Sequence, residues 1–260
     1  MLVCLNDPCH KLLFFMKSLI VANWKMNPKS LREAKKLLEM VKKGLKKSNK
    51  NKVIICPSFL YIPLFKQQKS LEIGGQNCSS EEKGAFTGEV SSSQLKDIGC
   101  NYVILGHSER RKYFNESNKI INKKIKESLR ANLIPIVCIG EDSKTKKEGG
   151  TISLIKSQIK ECLFGIPKDE GMKVIFAYEP LWAIGSKKSC PLVDAQEMRI
   201  NIQKILSKFF KKPSFRAKVL YGGSVNVNNA SGYIKKAGLD GLLIGGASLD
   251  ERFSKILMRV

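Results

Sequence analysis

Three side chains of different chemistry each stand just after a short apolar run. They are Lys25 in Asn23-Trp24-Lys25-Met26-Asn27, His107 in Gly106-His107-Ser108-Glu109-Arg110, and Glu179 in Tyr178-Glu179-Pro180-Leu181-Trp182. Singly they carry little, because a lysine after a strand usually faces solvent and a lone histidine is usually structural. Their settings point further. The apolar approach Val174-Ile175-Phe176-Ala177 delivers Glu179 beside Pro180 and Trp182. A carboxylate held between an aromatic ring and a proline is partly desolvated, which suits a general base. A glycine precedes His107, and Ser108, Glu109 and Arg110 follow it, as in a tightly folded polar site. Together the three suit proton removal next to a carbonyl: Glu179 takes the proton, while His107 and Lys25 stabilise the oxyanion that develops.

Two glycine pairs add a ligand class. Gly222-Gly223-Ser224 and Gly245-Gly246 follow the last two apolar runs. Glycine lets a backbone approach a ligand closely, and its N–H groups can serve as anion donors. Neither loop carries a side-chain cation, so backbone donors would hold a phosphate monoester there. One histidine outside the first sixteen residues and no Cys-x-x-Cys pair cannot fill a zinc shell, and no cofactor motif is present.

The elements that must position these groups are eight short runs: Leu19–Ala22, Val53–Cys56, Leu71–Gly74, Tyr102–Leu105, Ile134–Ile139, Val174–Tyr178, Ala217–Tyr221 and Gly241–Ile244. They are apolar without polar alternation, as expected of parallel strands buried on both faces. Amphipathic stretches of helical period lie between them, including Leu31–Leu45, Ile152–Cys162 and Ala195–Phe209. Eight such alternations over residues 17–260 predict an α/β chain forming a single (β/α)8 barrel, which typically needs ~250 residues. An open doubly wound sheet would normally carry Gly-x-Gly-x-x-Gly after its first strand, and this chain has none. In a barrel the chemistry sits at the C-terminal strand ends, where all of these residues fall.

Composition bounds the remaining possibilities. The chain has 260 residues, 43% of them hydrophobic, with 46 Lys+Arg against 23 Asp+Glu and a net charge of +23. Such a charge is compatible with polyanion binding. However, the lysines scatter over several helices and loops: Lys42, Lys43, Lys46, Lys47, Lys50 and Lys52; Lys123, Lys124 and Lys126; Lys144, Lys146 and Lys147; Lys211 and Lys212. They lack interleaved aromatics and read as a solvated outer face rather than a specific nucleic-acid surface. Eight scattered cysteines imply a reducing, cytoplasmic compartment, and Cys138 reads as a packed core thiol. No apolar run reaches the ~18 residues of a membrane span. Residues 1–15 read as an extension or a mis-assigned start, with Met16 opening the barrel domain at 16–260.

Six stretches, in order, resemble the triosephosphate isomerase family over essentially all of residues 17–260. They are Asn23-Trp24-Lys25-Met26-Asn27, Gly84-Ala85-Phe86-Thr87-Gly88-Glu89, Gly106-His107-Ser108-Glu109-Arg110-Arg111, residues Tyr178 through Gly185, Tyr221-Gly222-Gly223-Ser224-Val225, and Gly245-Gly246-Ala247-Ser248-Leu249. The resemblance implies a TIM barrel that interconverts dihydroxyacetone phosphate and glyceraldehyde 3-phosphate through an enediolate, without cofactor or metal. Glu179 would shuttle the proton, His107 would polarise the oxygens and Lys25 would anchor the negative charge. Asn23 would place Lys25, with Ser108 and Glu109 supporting. Backbone N–H groups at Gly185, Ser224, Gly245 and Gly246 would hold the phosphate. A lid would run through Pro180, Leu181, Trp182, Ala183, Ile184, Gly185, Ser186, Lys187, Lys188, Ser189 and Cys190. A homodimer is implied, with the loop bearing Thr87 reaching toward the partner. Lys187 departs from the family's glycine, so a positive φ there would cost about 1 kcal/mol. Cys190 replaces a small hinge residue. Two competing readings are weaker. A barrel phosphate-sugar isomerase of amino-acid biosynthesis lacks the Glu-Pro-x-Trp lid, and a purely polyanion-binding barrel would not need Lys25, His107 and Glu179 together.

Overall fold

A computed structural model describes residues 17–46, 51–66, 68, 70–185, 189–213 and 215–260. The expectations for residues 1–15 and for a start at Met16 lie outside this set. Eight parallel strands close into a barrel in sequence order: β1 (Leu19–Asn23), β2 (Lys52–Cys56), β3 (Glu72–Gly75), β4 (Tyr102–Leu105), β5 (Ile134–Ile139), β6 (Ile175–Tyr178), β7 (Val219–Tyr221) and β8 (Gly241–Ile244). Closure is made by β1 against β8, with Leu19 opposite Gly241 and Ala22 opposite Ile244. The expected bounds of β4, β5 and β8 match these, and the other five differ by one or two residues at one or both ends: β6 and β7 start later than their apolar runs, and β1 and β2 take in the polar residues Asn23 and Lys52.

Side chains alternate across the sheet. Leu19, Val21, Ile54, Cys56, Ile104, Ile136, Cys138, Ala177 and Leu243 fill the barrel interior. Their neighbours Ile20, Ala22, Ile55, Val103, Val137, Phe176 and Leu242 face the surrounding helices. Both faces are therefore dry, which is why the strands read as continuous apolar runs. The helices Leu31–Lys46, Asn118–Arg130, Thr151–Cys162, Leu192–Phe210 and Glu251–Arg259 turn their apolar stripes inward, burying among others Val41, Ile125, Ile159, Ile202 and Ile256.

One lysine leaves the solvated face expected of it. Lys124 is buried, with its ammonium between Glu116 Oε1 at 2.5 Å and Asn77 Oδ1 at 2.9 Å. Glu116 also accepts from Arg110 Nε at 2.6 Å, so the buried charges compensate one another.

Candidate active site

Strand parity sets the site. Leu19 and Val21 point into the barrel, so two-residue steps carry the same face up to Asn23 and toward Lys25 at the mouth. Ile175 and Ala177 lead likewise to Glu179, and Leu243 to Gly245. Strand β4 breaks the rule. Gly106 has φ +64°, in the left-handed region that favours glycine, and a Cβ there would crowd Ile121 Cδ1 at 2.6 Å, so a glycine suits the turn at this point. The turn places His107 at the cap of the helix Ser108–Tyr113. Asn23, Lys25, His107, Glu109, Glu179, Gly185, Ser224, Gly245 and Gly246 all line one cavity of about 360 Å³.

Glu179 is 2% exposed. Its Oε2 accepts the Ser108 N–H at 2.9 Å, one of the first-turn amides that a helix cannot satisfy internally. Its Oε1 lies 3.2 Å from His107 Nε2 but makes no aligned hydrogen bond, and it has no other partner. Two glycines create its space. A Cβ on Gly140 would stand 1.8 Å from the Glu179 carbonyl oxygen, and one on Gly222 would stand 2.8 Å from Glu179 Cγ. Cys138 lies below; burial first, and then the Glu179 charge, push its thiol well above the ordinary range and keep it neutral.

His107 Nδ1 accepts the Glu109 N–H at 3.2 Å, which fixes the ring with its Nε2 edge toward Glu179 and the cavity. Lys25 sits at φ +55°, a conformation held by its N–H donating to Asn23 Oδ1 at 3.0 Å. Gln76 Nε2 donates to the Lys25 carbonyl at 2.8 Å and to the Cys56 carbonyl at 2.9 Å, pinning the same turn to β2. The Lys25 ammonium pairs with Glu109 Oε1. At the far end Gly245 and Gly246 open a 3-10 turn (Gly246–Ser248), and Gly185 has φ +67°. The N–H groups of Gly246 and Ala247 donate to no protein acceptor among the described residues.

A family model described as Triosephosphate isomerase matches residues 18–260. The chain belongs to the triosephosphate isomerase family. It is 39% identical to a triosephosphate isomerase of Endomicrobium trichonymphae, over 93% of this chain and 98% of the relative. It is 41% identical to one of Aquifex aeolicus, over 93% and 99%, and 40% identical to one of Dictyoglomus turgidum, over 90% and 95%.

For a triosephosphate isomerase relative, the surroundings of Glu179 hold a correction. Trp182 does not desolvate the carboxylate. Its Nε1 donates to Glu141 Oε1 at 2.8 Å, with Lys146 Nζ 3.7 Å from the ring centroid on one face. Tyr178 donates to the same Glu141 oxygen at 3.0 Å. The apolar walls around Glu179 come instead from the barrel interior, and Pro180 packs near Gly223. Within the lid segment, Leu181–Ala183 form a 3-10 turn, and Ile184 and Gly185 reach the cavity. Ser186, Lys187 and Lys188 lie outside the described residues, so the expectation for Lys187 is untouched. Cys190 is buried: its N–H donates to Tyr221 Oη at 3.2 Å, and its carbonyl accepts from Tyr233 at 2.6 Å. Thr87 stands exposed on its loop, away from the cavity.

Sequence reasoning missed four residues of this isomerase site. Gln76 has no local signal; Gly140 and Glu141 stand out only as the end of the fifth apolar run, Cys138-Ile139-Gly140-Glu141, and their contacts depend on neighbours from other strands. Arg252 lines the cavity although the loops after β7 and β8 hold no cation; it stands in the first turn of the following helix.

Proposed function

We infer that the chain interconverts dihydroxyacetone phosphate and D-glyceraldehyde 3-phosphate, a step of glycolysis and gluconeogenesis, with Glu179 as the base. The observation that carries this reading is Glu179 Oε1: buried, without a hydrogen-bond partner, and lining a cavity whose other end offers free backbone N–H groups. In the forward direction the carboxylate takes a proton from the hydroxymethyl carbon as the carbonyl oxygen gains negative charge. His107 Nε2–H donates to that oxygen, and the Lys25 ammonium stabilises it electrostatically. Glu179 then returns the proton to the adjacent carbon, while the oxygens exchange a hydrogen through the imidazole. A neutral imidazole suits this role, since it can donate and take back a proton within one cycle. Gly185, Ser224, Gly245 and Gly246 bind the phosphate through backbone N–H groups.

The segment Pro180–Cys190 acts as a lid, with Ile184 and Gly185 as the parts that close on the substrate. The protein works as a cytoplasmic homodimer through the faces bearing Met26, Phe86 and Thr87; the exposure of Met26 and Phe86 supports this, and light scattering tests it. No helix among the described residues is long and apolar enough to cross a membrane. Steady-state isomerisation of glyceraldehyde 3-phosphate by the parent and by Glu179→Gln tests the central reading. Turnover in the parent that collapses in the variant supports it, and no turnover in a folded parent refutes it.

A further inference from the structure

Two cations flank the Gly245–Gly246 turn. Lys25 passes over one side, where a Cβ on Gly245 would lie 3.2 Å from Lys25 Cε. Arg252 rims the other, lining the same cavity, with Nη2 3.4 Å from the Gly246 carbonyl. Asp250 holds the guanidinium edge-on: Nε lies 2.8 and 3.0 Å from its two oxygens, and Nη2 lies 2.6 Å from Oδ2. Such a fork uses one edge of the group. Nη1 donates to no protein acceptor among the described residues, and the side chain remains 56% exposed.

The charges around the cavity give this placement a purpose. Beside His107, the lining groups that carry charge are Lys25, Glu109, Glu179 and Arg252. Lys25 is already paired with Glu109, and Asp250 takes one edge of Arg252, so an incoming phosphate dianion would face the Glu179 carboxylate unless a cation turns toward it. Arg252 can supply that charge through its open Nη1 edge, on the side where the Gly246 and Ala247 N–H groups have no protein acceptor among the described residues. We propose that Arg252 is a side-chain ligand for the substrate phosphate, and that Asp250 sets the strength of that contact by competing for the guanidinium. The proposal rests on the isomerase reading for the identity of the substrate, but the anion site itself can be measured without turnover.

The test uses the full chain and inorganic phosphate as the probe, both as a competitive inhibitor of isomerisation and in a calorimetric titration without substrate. Arg252→Gln weakens phosphate about fivefold, as an exposed charge-assisted contact would, and raises KM more than it lowers kcat. Arg252→Lys restores part of the loss. Asp250→Asn keeps a good helix N-cap and tightens phosphate about twofold, because an amide competes less for the guanidinium. A merely structural ion pair would make both single variants bind more weakly. Unchanged phosphate affinity in Arg252→Gln, or weaker binding in Asp250→Asn, overturns the proposal. The calorimetric titration separates these outcomes even if the parent proves not to isomerise triose phosphates.

Discussion

The Ser108 amide grips one oxygen of Glu179 at 2.9 Å and leaves the other, Oε1, without a hydrogen bond. One oxygen is thereby an anchor and the other a free base, and the division comes from a helix start 71 residues away in sequence. Replacing the base by an amide removes its proton affinity while keeping its size. Glu179→Gln lowers kcat by a factor of ~10³, within the range of a positioned general base. Steady-state kinetics beside an unchanged melting temperature would show this, whereas a loss below tenfold would remove Glu179 from the base's role.

Gly140 and Gly246 predict opposite outcomes for one substitution. A methyl at Gly140 collides with the Glu179 carbonyl, so the two strands must separate. Gly140→Ala is expected to cost about 1–3 kcal/mol, as overpacking does, and to slow turnover by displacing the base. A methyl at Gly246 meets nothing within 4 Å, so Gly246→Ala keeps its melting temperature and raises KM by crowding the phosphate. Thermal denaturation and kinetics on both proteins decide the matter; equal destabilisation would contradict it.

Lys25 holds a left-handed backbone at φ +55°. That conformation costs a non-glycine residue roughly 1 kcal/mol, and glycine would relieve it. Lys25→Gly should therefore melt no lower than the parent while losing most of its activity. A fall of several degrees would mean that the lysine's contacts, above all the Glu109 pair, outweigh the strain.

Burial pushes the thiols of Cys56 and Cys138 well up, and those of Cys100 and Cys190 up to about 12. Since only the thiolate reacts, alkylation of these four thiols by iodoacetamide, followed by peptide mapping, stays slow and flat from pH 7 to 9 in the native protein, but climbs with pH in urea. The sign carries over to stability: the unfolded chain releases these protons first, so stability falls as pH rises past the unfolded thiol range of ~8.5. A native alkylation rate that rises in step with the unfolded one would contradict the burial of these groups.

Much of the fold was legible because each strand is dry on both faces. Ile134–Ile139 and Gly241–Ile244 could be bounded from apolar runs alone, and the rule that barrels keep their sites at strand ends singled out residues that line one cavity. What remained hidden depends on contacts between distant segments. Lys124 sits in a run of lysines that reads as solvated, and its burial between Glu116 and Asn77 depends on Asn77, 47 residues away. Trp182 stands three positions from Glu179, yet its indole turns to Glu141 on the neighbouring strand end. Arg252 escaped a search of loops because it belongs to a helix, and the direction in which that helix leaves β8 is not written in its sequence.

The pairing of β1 with β8 has a consequence for biosynthesis. Lys25 leaves the ribosome long before Gly245, against which its side chain lies, and the barrel's first strand lacks one neighbour until β8 arrives. A nascent chain halted after Tyr221 exposes the open edges of β1 and β7 and has Glu179 and His107 but no closed mouth. Edges of that kind invite pairing with other chains. Docking of β8 onto β1, rather than the appearance of Lys25, His107 and Glu179, is therefore the step that covers those edges and completes the mouth.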